Sequence, residues 1–191
     1  MRKSRQETSE TRQRIVEAAS AEFRKSGISG TGLSGLMAAA GLTHGGFYRH
    51  FESKDQVLAE ACDMAVDTLV AEFEEVTNVG GFNAAIGHYL STDHRDALEK
   101  SCPYAALGSE LVRSNEQVKE IATQGLERVI ELLATQAGPG TAESGRARAL
   151  IAMCTMMGAL TLSRMAMDPA LSSEILQTAS HHLIQPGLPE A

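Results

Sequence analysis

Apolar residues recur along the chain at helical rather than strand spacing, and no run alternates apolar with polar residues, so the pattern predicts an all-α protein. A first helix starting near Ser9 or Thr11 gathers Ile15, Ala18, Ala19 and Phe23 on one face and ends at Gly27. Leu33–Ala40 and Thr43–His50 are two short helices parted only by Gly41 and Leu42, a break that forces an abrupt change of direction and gives a helix-turn-helix. Ser53 then opens a helix with Gln56 in the capping-box position, and Leu58, Ala61, Ala65, Leu69 and Phe73 form its stripe to about Val76. Asn78–Gly81 is a linker, 82–90 a further helix and 91–100 a polar connection. Pro103 suits a first helical position, so a helix follows Cys102 to about Arg113. Another spans Glu116–Gln136, with Val118, Ile121, Ala122, Val129 and Leu133 on its apolar face, and stops at Gly138-Pro139-Gly140. Two last helices, 145–167 and 171–183, are separated by Asp168-Pro169.

At 191 residues with 43% hydrophobic and 21% charged residues, the chain is long and apolar enough to bury a core, which excludes disorder for most of it. Net charge is −7, but the average conceals an asymmetry. Residues 1–55 carry nine basic against six acidic side chains, a net +3, while the rest carries eight against eighteen, a net −10. A basic module on an acidic body is expected to meet an anionic polymer at one end. The three cysteines, Cys62, Cys102 and Cys154, are odd in number and form no C-x-x-C pair. They predict neither a disulfide framework nor a zinc site, and fit a reducing cytoplasm. The polar start of the chain lacks the apolar core of a secretory signal, and the uncharged run Ala149–Ser163 is shorter than a bilayer span; no membrane association is expected.

The segment from Gly30 to Leu58, with Ala40-Gly41-Leu42, Gly45, Phe47-Tyr48, His50-Phe51 and Ser53-Lys54 in that order, resembles the DNA-binding domain of the TetR family of transcriptional regulators. The likeness extends back through Arg14-Ile15-Val16-Glu17-Ala18-Ala19 and Phe23. A second likeness, to a subset of the family, runs through Cys102-Pro103, Leu107–Leu111, Gly158–Arg164 and Asp168–Leu171. The resemblance implies a DNA-binding helix-turn-helix domain at 1–52, an effector-binding and dimerisation domain at 53–191, and homodimers joined through the last two helices. It implies a double-stranded operator and a small-molecule effector as partners, with no cofactor.

Second helices of this motif present their first residues to the major groove while flanking side chains take phosphates. Thr43 is placed to cap its helix, to reach a phosphate, or both. His44, where family members often carry Lys, is assigned to a phosphate or to guanine N7. Gly45 and Gly46 each cost a helix about 1 kcal/mol relative to Ala, which favours a face where DNA excludes bulk over a merely loose helix. Tyr48, His50 and Lys54 are assigned to the DNA backbone. Phe47 and Phe51 are read as core, and Arg49 as either solvated or in contact with DNA. Gly32 in place of a capping hydroxyl, and Gly35 inside the helix, predict a weakly capped second helix. The basic tail Arg2-Lys3-Ser4-Arg5 is either a DNA contact or free.

In the body, Phe82, Tyr89, Cys102, Tyr104, Leu107, Met153 and Met157 are candidates for an effector wall, with plain core as the alternative. Cys102 ahead of Pro103 occupies a helix N-terminus, where a thiolate is stabilised; this supports a rival reading as an enzyme, with His88 or His94, or as a thiol sensor. Cys62 and Cys154 are read as core. No metal site is expected from His88, His94, His181 or His182.

Overall fold

A computed structural model describes residues 5–138 and 141–184; Arg2–Ser4 of the basic tail and Pro139-Gly140 of the expected helix stop lie outside them. All regular structure among the described residues is helical. The described residues form two compact units, one from Arg5–Asp67 together with Leu98–Gln124, the other from Thr68–Ala97 together with the described residues between Gly125 and Ile184.

In the first unit, α1 spans Arg5–Ser26 and buries Ile15, Val16, Ala19 and Phe23. It starts earlier than expected because Thr11 does not cap it: the Thr11 hydroxyl instead donates back to the Glu7 carbonyl at 2.7 Å, inside the helix. α2, Leu33–Ala39, has extended Gly32 at its N-cap with no side chain to satisfy the first N–H groups, as expected. Its end is better made. The Leu42 N–H bonds to Met37 O and the Gly41 N–H to Ala38 O, the paired bonds of a Schellman motif with Gly41 in the left-handed region. A six-residue 3-10 helix, His44–Arg49, follows in place of the expected α-helix over 43–50. Two successive glycines weaken α-helical propagation, and the Gly46 N–H accordingly bonds three residues back to Thr43 O at 3.0 Å.

α3 spans Lys54–Tyr89. Ser53 caps it as predicted, the Gln56 N–H donating to Ser53 Oγ at 3.1 Å; the return bond goes one residue further back, Gln56 Oε1 accepting the N–H of Glu52 rather than of Ser53 at 2.8 Å. α3 stays helical beyond Val76 and breaks only at Gly81, at φ 64°, ψ −157°, a conformation essentially confined to glycine. The break lets the final stretch fold back, so that Tyr89 stacks on Phe73 with centroids 5.9 Å apart. Residues 91–100, expected as a connection, contain the short helix α4, Thr92–Asp96, and a 3-10 turn at Leu98–Lys100; Ser91 Oγ caps α4 by accepting the His94 N–H. α5 spans Pro103–Leu111, with Cys102 at its N-cap. α6 spans Glu116–Thr135, capped by Asn115 Oδ1, which accepts the Val118 N–H at 3.0 Å.

The second unit is completed by α7, Ala142–Met165, and α8, Pro169–Ile184. Where they pack, the buried Ser163 hydroxyl donates to Ser172 O at 2.9 Å and the Ser172 hydroxyl to Ser163 O at 2.8 Å, so each polar group has a partner. Arg164 of α7 closes the end of α4, donating to the carbonyls of Arg95 at 2.9 Å and His94 at 2.8 Å. His94 itself approaches Tyr89 O through Nδ1 at 2.7 Å, which requires the Nδ1–H form.

Burial lowers the His94 pKa below its ordinary 6.5, the Tyr89 carbonyl opposing this and the Arg164 and His88 charges adding to it. An imidazole held neutral in the folded state makes the unfolded chain the stronger proton binder just below pH 6.5. Stability from this site is therefore full above about pH 6.5 and falls as pH drops toward the lowered value. We expect His94→Gln to flatten the decline in unfolding free energy between about pH 7 and pH 5.5, measured by urea titration at several pH values; an unaltered slope would assign the decline to other groups.

Candidate nucleic-acid interface

α2 and the 3-10 helix are held from behind. Leu36 and Met37 of α2, Phe47 of the 3-10 helix, and Ile15 and Phe23 of α1 are buried, and Phe51 stacks on Phe47 with centroids 5.6 Å apart. Phe47 and Phe51 are thus core, as expected. Arg12 of α1 ties three elements at once: its guanidinium pairs through both terminal nitrogens with Glu60 of α3, donates to the carbonyl of His50, and lies 4.5 Å over the Phe51 ring. Arg14 donates to Ala40 O at the end of α2.

The opposite side of the 3-10 helix is open. Thr43, His44, Gly45, Tyr48 and Arg49 are exposed, Tyr48 at 66%, while Gly46 and His50 are half-buried. Thr43 has the extended backbone of an N-cap but its hydroxyl makes no capping bond, so of the two roles given to it the cap is absent. A Cβ added at Gly45 would meet nothing within 4 Å, and one at Gly46 would make ordinary contact with Met37 Cε at 3.5 Å. Neither glycine is demanded by the protein's own packing. Lys54 is half-buried, with its ammonium donating to the carbonyl of Ile28 and lying 5.8 Å from the Phe23 ring centroid. The expected residues therefore assemble as one exposed patch, Thr43 to Arg49, with His50 and Lys54 partly engaged behind it.

Residues 15–61 match the family model for bacterial regulatory proteins of the tetR family. The HTH-type transcriptional regulator AcrR of Shigella flexneri is 37% identical over 73 residues, 38% of this chain and 34% of AcrR. A probable acrEF/envCD operon repressor of Escherichia coli K12 is 39% identical over 59 residues, 31% of this chain and 27% of that protein. A TetR transcriptional regulator from Chloroflexus aurantiacus superposes with a TM-score of 0.77 at 28% identity, covering 93% of this chain and 94% of that one. Residues 15–61 are thus similar to the DNA-binding segment of tetR-family regulators, and the fold is that of a TetR transcriptional regulator. The chain's sequence match spans about a third of the length of the first curated relatives. No helix among the described residues is long and apolar enough to cross a membrane.

Beyond the helix-turn-helix, the candidate effector residues are distributed over both units. Cys102, Tyr104 and Leu107 are buried in the first, where the Tyr104 hydroxyl donates to Ala122 O at 2.8 Å. In the second, Phe82, Tyr89 and Met153 are buried and Met157 half-buried, Arg148 lies 4.5 Å over Phe82, and Tyr89 meets His94 edge-on at 4.6 Å. Cys102 is at the predicted helix N-terminus but only 1% exposed, which shields its thiol from solvent-borne reagents and leaves the enzyme and thiol-sensor readings without an accessible nucleophile. Cys62 is buried, as expected, and burial together with neighbouring Asp63 pushes its thiol up to about 11. Cys154, expected in the core, is exposed: it lies on an outer face of α7, which the near-uniform apolarity of that helix concealed. His88 and His94 lie with ring centroids 6.4 Å apart, and no cluster of three metal-binding side chains occurs among the described residues.

Sequence reasoning passed over Arg12, whose partners lie 38 and 48 residues away and leave no local signal. Because the Arg12 and Glu60 side chains are each about one-third exposed, solvent screens the pair, and packing on Phe51 adds to its worth. Arg12→Ala is expected to lower unfolding free energy by about 1–2 kcal/mol in urea denaturation; a loss below about 0.3 kcal/mol would show the pair to be fully screened.

Proposed function

We propose that this protein is a ligand-responsive, sequence-specific DNA-binding transcriptional regulator, a repressor acting as a homodimer on a pseudo-palindromic operator. The observation that carries the reading is the 3-10 helix: it is clamped from behind by Phe47, Phe51 and Arg12, while Gly45 on its outer side opens onto space that nothing among the described residues fills. A glycine that the fold does not need is explained by a groove that a side chain would obstruct. Thr43 and Tyr48 would then take phosphates, and His44 a phosphate or a purine N7. Lys54 has three donors, so the bond to Ile28 leaves capacity for a phosphate; His50 would reach the DNA backbone beside it. Repression is supported by the Escherichia coli relative, a probable acrEF/envCD operon repressor that is 39% identical over 59 residues.

Homodimerisation through α7 and α8 is supported by their outer faces. Ile151, Leu162, Met165 and Leu171 are exposed there, and a groove of about 570 Å³ runs between the helices past Cys154, Gly158, Leu162 and Ile175. A second copy covering this surface would set two reading helices about 34 Å apart or a multiple of it, matching successive major grooves. A small molecule that favours another separation would weaken both half-site contacts together, and coupling of about 1–3 kcal/mol changes affinity 5- to 150-fold. α3 runs through both compact units and is the transmitter in this reading. Its effector would meet residues within one unit, either Phe82, Tyr89, Met153 and Met157 or Cys102, Tyr104 and Leu107.

Selection of duplexes from a random pool, followed by affinity against salt, tests the reading. Enrichment of an inverted repeat with a steep negative salt slope is expected; no enrichment would overturn it. Gly45→Gln is expected to keep or raise thermal stability and to weaken operator binding about tenfold or more. His44→Ala should change base preference, whereas Tyr48→Ala should weaken all duplexes alike and Lys54→Ala should also reduce the salt slope by about one. Unchanged operator affinity in all four variants would remove the 3-10 helix from the interface.

A further inference from the structure

The turn between α1 and α2 is held by charges from two other helices. Glu110, in the last turn of α5, accepts the Ile28 N–H on Oε2 at 3.0 Å and the Ser29 N–H on Oε1 at 2.9 Å. Lys54, the first residue of α3, donates to the Ile28 carbonyl. The Ile28 carbonyl and the Ser29 N–H belong to the same peptide group, so that one group is gripped at its oxygen by a cation and at its nitrogen by an anion. Gly27 leaves room for the grip: it has φ +78°, and a Cβ there would stand 2.9 Å from Glu110 Oε2. Arg24, near the end of α1, makes a second tie to the same part of the chain, donating to the carbonyl of Ser101 just before α5 at 3.2 Å.

The consequence lies in α2. Its N-cap is a glycine with no side-chain bond, so its start is defined by the turn that leads into it rather than by its own sequence. α2 in turn carries Met37 and Leu36, against which the 3-10 helix packs. We infer that Glu110 is a positioning residue for DNA reading: by fixing the peptide between Ile28 and Ser29, it sets the orientation of α2 and, through α2, of the 3-10 helix. The inference rests on the regulatory reading above and deepens it, because it brings α5, outside the 1–52 segment, into the reading unit. Burial would raise the Glu110 carboxyl, but the N–H groups of Ser29 and Ile28, the Ser29 hydroxyl and the Arg113 charge outweigh it and hold the pKa below the ordinary carboxylate value. The carboxylate is thus ionised, with both oxygens able to accept, at neutral pH.

Glu110→Gln keeps the length and packing of the side chain but leaves one accepting oxygen, and Glu110→Ala leaves none. We expect backbone amide exchange at Ile28, Ser29 and Leu36 to quicken in both variants, more in Ala, while Phe23 in the middle of the core keeps its protection. The ratio of operator to non-specific duplex affinity is expected to fall about threefold for Gln and about tenfold for Ala. The sign is diagnostic. Removing a negative charge from a DNA-binding unit strengthens binding if electrostatics alone is at work, and a general loss of stability leaves the specificity ratio of the folded fraction unchanged. Unaltered exchange at Ile28 and Ser29 would overturn the inference, as would faster exchange with an unchanged or increased specificity ratio. If the unaltered protein selects no duplex, the regulatory reading and the reading role of Glu110 fail together, but the exchange result still decides whether the grip orders α2.

Discussion

The fold of the helix-turn-helix depends on one constraint: α2 has seven residues and the 3-10 helix six, and neither length sustains a helix in water. Local sequence makes matters worse, since Gly32 cannot cap, Gly35 lies inside α2, and Gly45 and Gly46 stand side by side. The missing stability comes from burial. Leu36, Met37 and Phe47 are fully removed from solvent against Ile15 and Phe23 of the far longer α1, with Phe51 closing the stack. Directional contacts then fix what burial leaves adjustable. Arg12 holds the His50 carbonyl at the exit of the 3-10 helix, the Schellman bonds hold the turn at Gly41, and Glu110 with Lys54 holds the turn before α2. Hydrophobic contact is non-directional and sets how close these elements lie; the polar ties set their angle.

The second unit distributes the same physics differently. Its helices α7 and α8 are long enough to persist by themselves once packed, and the buried Ser163 and Ser172 hydroxyls with their carbonyls supply register rather than bulk. Arg164 satisfies the carbonyls at the end of α4, which is too short to stand alone, so α4 depends on α7 much as α2 depends on α1. The exposed apolar residues of α7 and α8 are not an error in packing. They lie on the faces that remain after the inward residues Ala149, Ala152, Met153, Met156 and Leu160 have been used.

Much of this was legible before the structure because its signals are local. Gly27 and Gly41 mark helix ends, Ser53 with Gln56 marks a start, Gly81 falls within the predicted linker, and the ordered motif from Gly30 to Leu58 resembles one family with little ambiguity. What escaped was of two kinds. The partners of Arg12, Lys54 and Glu110 are separated from them by 26 to 82 residues, and a charged side chain at such a distance looks like any solvated charge. The other kind was a matter of face: α7 is apolar on nearly every side, so periodicity did not separate the buried Met153 from the exposed Cys154 beside it. α4 was lost because five residues are too few to carry a period.

The distribution of polar ties within the first unit carries a last consequence. Every side-chain tie described lies behind or beside the 3-10 helix, and none engages the Thr43 hydroxyl or closes over Gly45 on its outer surface. A cap would use the Thr43 oxygen as an acceptor for a backbone N–H and leave its O–H free to donate, so the missing cap costs helix stability and does not decide whether the hydroxyl can meet a phosphate. The glycines bear on the surface more directly. A stable α-helix at 44–49 would need side chains at 45 and 46, and those side chains would fill the space through which a backbone can approach a groove. Weak intrinsic structure in front and strong restraint behind therefore go together, the scaffold supplying the order that the open surface of the 3-10 helix lacks.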